Sequence, residues 1–194
     1  PTRLDRAKAE LGRLIDTLKG DRVGLVAFAG ETMSYPLTTD YEAAKHFWMD
    51  LMPDDMPVGG TDLGRALRAS MDLLRSVEKK GQRRKPAQAI ILLTDGEDTE
   101  GRGLEAAKEA ARLNIRIYSI GIGTAERPII QTYDESGKPA GYLADDEGKP
   151  VRVGLDEPGL KQIAQVSNGS YYPIDPDRFG MDRVEEAIAA LQRT

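Results

Sequence analysis

Apolar residues along the chain alternate between two spacings. In the first segment the apolar residues recur at helical spacing, which predicts a helix that ends at Gly20. Its apolar positions are Leu4, Ala7, Leu11, Leu14, Ile15 and Leu18. The next segment, residues 23–29, is short and almost wholly apolar, which predicts a strand buried on both faces. Residues 32–35 are expected to pair back against this strand as a hairpin.

The same alternation continues towards the C-terminus. Strands are predicted at residues 89–93, 115–122 and 171–173, and helices at residues 41–52, 63–74, 104–113, 160–166 and 184–191. Asp40 is expected to cap one helix, and either Thr61 or Asp62 the next. Buried strands separated by amphipathic helices indicate an α/β fold, a doubly wound and mostly parallel sheet with helices on both faces. A length of 194 residues suits a single domain.

Residues 127–154 break this alternation. The segment 134–139 (DESGKP) is echoed by the segment 145–150 (DDEGKP), and both carry turn-forming residues between stretches that can extend. We therefore predict a small β-meander inserted into the α/β body. The acidic turns lack the full ligand ladder of a helical calcium loop, which favours solvated turns over calcium sites.

Composition excludes some classes of function. A net charge of −5 offers no surplus of cations for phosphate, so nucleic acid is not expected as a partner. The absence of cysteine excludes disulfides and thiolate metal sites. No apolar run approaches a membrane span. Because the sequence starts with Pro1, we expect it to be part of a longer chain.

Asp95 follows directly after the predicted strand 89–93 and Thr94, and the turn continues with Gly96, Glu97 and Asp98. In open α/β sheets, ligands bind outside the carboxyl ends of the strands, so Asp95 stands where function is usually found. Position alone supports equally an Asx turn closed with Gly96. Both interpretations stay open.

A second informative stretch is Gly59-Gly60-Thr61-Asp62, at the predicted start of a helix. Two glycines let the backbone approach a ligand closely, whereas the simpler interpretation of Thr61 or Asp62 is a helix cap. If the fold brings the Thr61 hydroxyl to the Asp95 carboxylate, the pair forms hard oxygen ligands that suit Mg²⁺ or Mn²⁺.

Together the two stretches resemble the von Willebrand factor A family. Residues 59–67 look like its threonine loop and following helix, and residues 93–96 look like its aspartate loop. The resemblance implies a metal ion-dependent adhesion site in which Thr61 is a direct ligand and Asp95 binds directly or through water. An acidic side chain from a protein partner would take the open position. Gly59, Gly60 and Gly96 would shape the site, with Asp62 or Glu97 tuning it from outside.

The chain departs from that family in one motif, because no Asp-x-Ser-x-Ser follows an early strand. In the family this motif follows the central strand, between the strands expected here at residues 23–29 and 89–93. Two protein ligands hold Mg²⁺ poorly against its hydration shell, so we expect weak binding of Mg²⁺ or Mn²⁺, or none. We also expect the strand position to be filled by an upstream segment, by a second chain through strand exchange or homo-oligomerisation, or by a rearranged element.

A narrower resemblance links the opening residues 1–8, the strand end 28–30 and the turn 36–38 to bacterial aerotolerance-operon proteins. Those proteins are commonly membrane-anchored, with this domain outside the cytoplasm, and are encoded near MoxR-type AAA+ ATPases. The resemblance implies the same location and the same kind of partner system, while a cytoplasmic location stays open.

Enzymatic function finds little support in the residues. A phosphoryl-accepting Asp95 lacks a second Asp two residues on, where Glu97 stands, and the single histidine, His46, is far in sequence from every acidic turn. We therefore expect a non-catalytic protein–protein interaction module with a partial cation site. The alternative is a metal-independent interaction or structural module of a membrane-associated complex. Such a module could use four methionines and a tryptophan at near-helical spacing as its interaction surface. At that spacing, however, burial of these side chains in the core is favoured. The set is Met33, Trp48, Met49, Met52 and Met56.

Overall fold

The chain forms six helices and seven strands over the residues described by the computed structural model. Those residues are 3–29, 31–52, 55, 61–78, 86–94, 98, 101–122, 131–134, 136–142, 144, 148, 150, 154–173 and 181–191. The elements are α1 (Arg3–Thr17), β1 (Val23–Phe28), β2 (Thr32–Thr38), α2 (Tyr41–Asp50), α3 (Leu63–Ser76), β3 (Gln88–Thr94), α4 (Gly103–Arg112), β4 (Ile115–Gly121), β5 (Gln131–Tyr133), β6 (Pro139–Tyr142), α5 (Glu157–Val166), β7 (Tyr171–Pro173) and α6 (Met181–Leu191).

Three strands form the parallel sheet that the sequence predicts, in the order β3–β4–β7. β3 pairs with β4 from Gln88 opposite Ile115 to Thr94 opposite Gly121. β7 pairs with the last three residues of β4. The carboxyl ends of all three strands therefore lie at one edge of the sheet, which confirms the α/β class.

Helices cover both faces of this sheet, as predicted. One face packs against α3, α4 and α5 through a core cluster that includes Leu67, Leu92 and Ile163. The other face packs against α1 and α6, where Leu14 and Val184 meet Ile120 of β4. Alternate residues of a strand point to opposite faces, so each strand of the sheet contributes to both clusters.

β1 and β2 form a separate antiparallel hairpin, as predicted. The expectation that residues 23–29 are buried on both faces is wrong, because every residue of β1 is only half-buried. β1 pairs on one side with β2, and among the described strands it has no partner on the other side. Its second edge borders a cavity of about 870 Å³ instead.

Aspartate side chains cap the N-termini of three helices. The Asp40 carboxylate accepts a hydrogen bond from the backbone N–H of Ala43 and caps α2, as predicted. At α3 the sequence left Thr61 and Asp62 open, and Asp62 is the cap. Asp156 caps α5 in the same way through Gly159.

The region of the predicted meander contains one small hairpin, in which β5 pairs with β6 in antiparallel register. The Asp134 side chain closes the turn by accepting hydrogen bonds from Ser136 and Lys138, and these bonds hold its pKa below the ordinary value. An isolated bridge joins Ala144 to Pro150. Residues 151–153, at the C-terminal side of the predicted meander, lie outside the described residues. The assignment of residues 127–154 as an insertion stays a prediction.

Candidate functional site

The candidate site lies where α3 begins, beside the ends of β1 and β3. Thr61 is half-buried one residue before the Asp62 cap. The backbone N–H of Asp62 donates to the carbonyl of Ala29, which follows β1, at 3.3 Å. Thr61 and Thr94, the last residue of β3, line the same cavity. The Thr61 loop therefore lies beside the end of β1.

Asp98 joins the loop after β3 to two helix starts. Its Oδ1 accepts a hydrogen bond from the backbone N–H of Leu63 at 3.2 Å, and its Oδ2 accepts one from the N–H of Gly103 at 2.5 Å. The first N–H groups of a helix lack partners within the helix and favour negative charge. One carboxylate thus binds the N-termini of α3 and α4 together.

Asp62 makes the reciprocal connection from α3 towards α4. Its Oδ1 accepts from the backbone N–H of Arg65 at 2.9 Å, and its Oδ2 accepts from Nη2 of Arg102 at 2.6 Å. Nε of Arg65 lies 3.5 Å from the same Oδ2. Asp62 is only 2% exposed, so its charge is stabilised mainly by these contacts.

The predicted site residues are only partly covered by the described chain. Thr61 and Asp62 are described, whereas the predicted metal ligand Asp95 and the four shaping residues lie outside the described residues. The four are Gly59, Gly60, Gly96 and Glu97. The convergence of Thr61 and Asp95 therefore stays a prediction. What the structure does bring together is their flanks: Leu63, two residues after Thr61, and Asp98, three residues after Asp95.

Sequence reasoning missed the roles of Asp98 and Arg102. Both precede α4, and an acidic residue shortly before a helix is a signal for N-terminal capping that was available for Asp98. Its reach to Leu63, 35 residues away in the chain, is a tertiary contact that periodicity does not report. The pairing of Arg102 with Asp62 is hidden from the sequence for the same reason.

The donor chemistry around Thr61 fits a hard divalent cation only in part. A threonine hydroxyl is an oxygen ligand of the kind that Mg²⁺ and Mn²⁺ accept. Over the described residues, no group of three or more His, Cys, Asp or Glu side chains is arranged to hold a metal ion. Asp62 and Asp98 already accept hydrogen bonds from helix N-termini, and Asp62 is also paired with arginine. The assignment of Thr61 and Asp95 as cation ligands stays a prediction.

Two half-exposed arginines lie next to this site. Arg65 and Arg102 both contact the buried carboxylate of Asp62, and their side chains remain 50% and 48% exposed. With Asp72 they also border a small surface depression, whose further lining residues include Arg68.

Comparisons with known proteins agree with this architecture. The conserved hypothetical protein BatB of Bacteroides thetaiotaomicron superposes on the whole chain with a TM-score of 0.80 at 31% identity, over 90% of the BatB chain. An aerotolerance-related membrane protein of Bacteroides fragilis gives a TM-score of 0.75 at 28% identity, with the same coverage of both chains. A protein of Borreliella burgdorferi is 29% identical over 178 residues, which is 90% of this chain and 48% of that protein. The chain thus spans about half the length of the curated relatives it matches.

Two more distant structures share the fold alone, at 18% and 21% identity with TM-scores of 0.59. They are proximal thread matrix protein 1 of the mussel byssus, whose MIDAS motif is occupied by zinc, and the manganese-loaded TRAP protein of Plasmodium vivax. Each spans 95% or more of this chain.

The narrower resemblance to aerotolerance-related proteins is confirmed by the two Bacteroides structures. None of the helices in the described parts of the chain is long and apolar enough to cross a membrane. The sequence model of the von Willebrand factor type A domain family matches residues 1–145, which include the hairpin, the Thr61 loop and the end of β3. With the parallel sheet and its flanking helices, this match shows that the chain belongs to the von Willebrand factor type A domain family.

Proposed function

We propose that this domain is a non-catalytic protein-recognition module in which a divalent cation, held by Thr61 and Asp95, binds an acidic side chain of a partner protein. The observation that carries the proposal is the hydrogen bond between Leu63 and Asp98 at 3.2 Å. It holds the segment after Thr61 against the segment after Asp95. A hydroxyl and a carboxylate on these two loops can then serve one ion.

Ligand number predicts how such a site behaves. Two protein oxygens compete weakly with the hydration shell of Mg²⁺, so the cation alone binds weakly or not at all. A carboxylate from a partner adds a third, charged ligand. Cation and partner are therefore expected to bind cooperatively, each raising the affinity for the other by the same factor.

Charge next to the site favours an acidic partner. Arg65 and Arg102, whose side chains are half-exposed, both contact the buried carboxylate of Asp62 next to the site. Opposite charges across an interface raise the association rate and suppress wrong partners. Zinc in the MIDAS motif of the byssus protein and manganese in the TRAP protein show that this fold accommodates cations in other chains.

The cation site is tested with Mn²⁺, whose paramagnetism broadens the NMR signals of nearby nuclei. We expect weak broadening centred on Thr61 and Leu63, and stronger broadening when acetate is added as a carboxylate probe. Thr61→Val removes the hydroxyl at constant shape and Asp95→Ala removes the carboxylate, so both should abolish the effect. Thr61→Ser keeps the hydroxyl and is the matched control.

Broadening that is centred elsewhere, or that persists in both Thr61→Val and Asp95→Ala, would refute the site. Strong Mn²⁺ binding without acetate, abolished by Asp95→Ala in a calorimetric titration, would show that two ligands are sufficient. That result would contradict the expected weak affinity while leaving the position of the site intact.

A metal-independent interaction module is the second candidate, and exposed methionines favour it. Met49 and Met52 are 55% and 59% exposed and Met33 is 37% exposed, so the expectation that this set lies in the core is wrong for these three. Trp48 is buried as expected, and Met56 lies outside the described residues. Flexible methionines suit protein interfaces. Partner capture that is unchanged by EDTA and lost on Met49→Glu with Met52→Glu would select this function.

The proposed setting is the extracytoplasmic part of a membrane-anchored bacterial protein. The support is the similarity to the aerotolerance-related membrane protein of Bacteroides fragilis. Protease accessibility of this domain in intact spheroplasts carrying the full-length protein tests it. Protection until the membrane is permeabilised would place the domain in the cytoplasm and overturn this proposal.

A further inference from the structure

The chain contains two asparagines, and both have the same backbone conformation. Asn114 (φ 60°) follows α4 and Asn168 (φ 58°) follows α5. These values lie in the left-handed region, which asparagine tolerates better than most residues with a side chain. Both asparagines are exposed. They differ in the residue that comes next, which is Ile115 after the first and Gly169 after the second.

An asparagine that precedes a glycine can react with its own backbone. The nitrogen of Gly169 loses its proton and forms a bond to Cγ of Asn168, the bond from Cγ to Nδ2 breaks, and the side-chain amide leaves as ammonia. Water then opens the resulting five-membered imide at either carbonyl and gives aspartate or its β-linked isomer, isoaspartate. Glycine has no Cβ that hinders the attack, whereas the β-branched side chain of Ile115 crowds the same nitrogen after Asn114.

Two backbone hydrogen bonds hold Asn168 and Gly169 at the end of α5. The N–H of Asn168 donates to the carbonyl of Gln165 at 3.2 Å, and the N–H of Gly169 donates to the carbonyl of Ala164 at 2.9 Å. With a left-handed residue between them, these two bonds form a turn that ends many helices. The nitrogen that would attack the side chain therefore has its proton engaged with a carbonyl of the helix.

The left-handed conformation of Asn168 also keeps the two reacting groups apart. This conformation combines a positive φ with a positive ψ, and such a ψ places the nitrogen of Gly169 on the far side of the Cα–C bond from the side chain of Asn168. Closure of the imide ring needs both groups on the same side, so this bond must rotate first. The rotation breaks the hydrogen bonds of the turn, and the native turn and the imide therefore exclude each other.

Packing against β4 restricts this turn further. A Cβ added at Gly169 would overlap the carbonyl oxygen of Ile117, so the glycine backbone lies directly against the strand. Before the turn, Oγ of Ser167 accepts from the N–H of Ile117 at 3.0 Å, and after it the carbonyl of Ser170 accepts from the N–H of Ser119 at 3.1 Å. The turn is anchored to β4 on both sides, so the reaction requires local opening of the connection between α5 and β7.

We propose that Asn168 is a modification site, at which the chain deamidates through an imide formed with Gly169 when the turn after α5 opens. The reaction is irreversible because ammonia is lost, so an opening that leads to reaction leaves a permanent covalent change. Aspartate at this position adds a negative charge at the C-terminal end of α5, which the helix dipole disfavours. Isoaspartate lengthens the backbone by one carbon where Gly169 lies against β4. Both products should therefore hold this connection less tightly than asparagine does.

The test follows the conversion of both asparagines by mass spectrometry. The folded chain, and the same chain unfolded in guanidinium chloride, are incubated in one mildly alkaline buffer and then digested with trypsin. Cleavage after lysine and arginine places Asn168 in the peptide 162–178 and Asn114 in the peptide 113–116. Conversion of the amide to an acid raises the mass of the peptide, and chromatography separates the aspartate product from the isoaspartate product.

In guanidinium chloride we expect Asn168 to convert to both products while Asn114 stays unconverted over the same period. In the folded chain Asn168 should convert at least about tenfold more slowly, because only the open fraction reacts. Ser167→Ala removes one anchor of the turn and should raise the rate in the folded chain by at least roughly fivefold. Ser170→Ala removes an exposed side chain, is the matched control and should stay within about twofold of the original rate. The rate of each variant in guanidinium chloride corrects for effects of the neighbouring side chain.

Equal rates at Asn168 in the folded and unfolded chains would overturn the proposal, because the turn would then not control the reaction. Absence of conversion at Asn168 in guanidinium chloride would also overturn it. Equally fast conversion of Asn114 would contradict the role assigned to Gly169, and a folded Ser167→Ala that reacts no faster than the original chain would contradict the opening step. If circular dichroism shows that Ser167→Ala does not fold, the comparison of the folded and unfolded original chain still decides.

Discussion

The carboxylate of Asp62 lies 2.6 Å from the guanidinium group of Arg102, and this ion pair joins the start of α3 to the residue before α4. Asp98 makes the opposite connection, from the loop before α4 to Leu63 at the start of α3. The two carboxylates together fix the relative position of the helices that carry the candidate site. Loss of either connection should loosen both helix starts.

Replacing Asp62 tests the first connection. Asp62→Ala removes a helix cap and leaves the N–H of Arg65 and the guanidinium of Arg102 without this acceptor. We expect the free energy of unfolding to fall by about 2 kcal/mol, discounted for the half-exposed arginine. Asp62→Asn keeps a capping oxygen without the charge and should cost about half as much. Urea denaturation followed by circular dichroism measures both, and an effect of Asp62→Ala below about 0.5 kcal/mol would contradict the assignment.

Close packing of α3 against the start of α4 predicts opposite effects for one substitution at two glycines. A Cβ on Gly64 would lie 2.6 Å from Cβ of Arg102 and 2.9 Å from its backbone carbonyl, so Gly64→Ala should destabilise the fold by about 1–3 kcal/mol. Gly12 lies in α1 with nothing within 4 Å of such a Cβ. Gly12→Ala should stabilise by roughly 0.5–1 kcal/mol. Thermal unfolding measures the change in stability of both variants. A change in the same direction at both glycines would contradict this packing.

Ser167 provides a buried hydrogen-bond acceptor for the sheet. Its hydroxyl oxygen accepts from the backbone N–H of Ile117 at 3.0 Å, and the side chain is 1% exposed. Ser167→Ala leaves that buried N–H without its acceptor, which should cost about 1–3 kcal/mol. Ser170, on the same connection, has an exposed side chain and serves as the control. A loss of equal size in Ser170→Ala would show that the connection, rather than the hydrogen bond, is responsible.

Glu185 on α6 predicts a pH-dependent stability. Burial first, and then the negative charges of Asp182 and Glu10, raise the pKa of Glu185 above its ordinary value. The folded state thus favours the neutral form, so this group's contribution to stability is complete below pH of about 4 and is lost as pH rises through the raised pKa. Glu185→Gln should raise the melting temperature at pH 7 and leave it unchanged near pH 3.

The comparison that matters is therefore the difference in melting temperature between Glu185→Gln and the original protein at the two pH values. Glu186→Gln, at the exposed neighbouring position, is the control and should show no such difference. A gain from Glu185→Gln that is equal at both pH values would exclude ionisation as its cause.

The periodicity of apolar residues was sufficient to predict the helices and strands, because buried positions recur at regular spacing within each element. The parallel pairing of β3 with β4 follows from two apolar runs separated by a helix, α4, which spans the crossover. Asp40 as a cap was also predictable, because short polar side chains before a helix act on N–H groups only a few residues away.

Tertiary contacts account for what the sequence did not show. The apolar run of β1 predicted full burial, yet burial depends on which strand lies beside it, and the second edge of β1 borders a cavity. From the sequence alone, Asp98 is only part of an acidic turn. Its hydrogen-bond partner Leu63 lies on another element, α3. Met49 and Met52 follow an apolar spacing but lie at and beyond the exposed end of α2. For Asp95, the sequence and the family resemblance remain the basis of its predicted role.

The separation of β1 and β2 from the parallel sheet has a consequence for the dynamics of the domain. Within the described chain, the hairpin is tied to the rest by side-chain packing against helices rather than by a backbone ladder to β3. Segments held in this way open in native proteins at a lower free energy than the central strands do. Amide protons of the hairpin should exchange with deuterated solvent well before those of β4, so that the domain unfolds in two successive units.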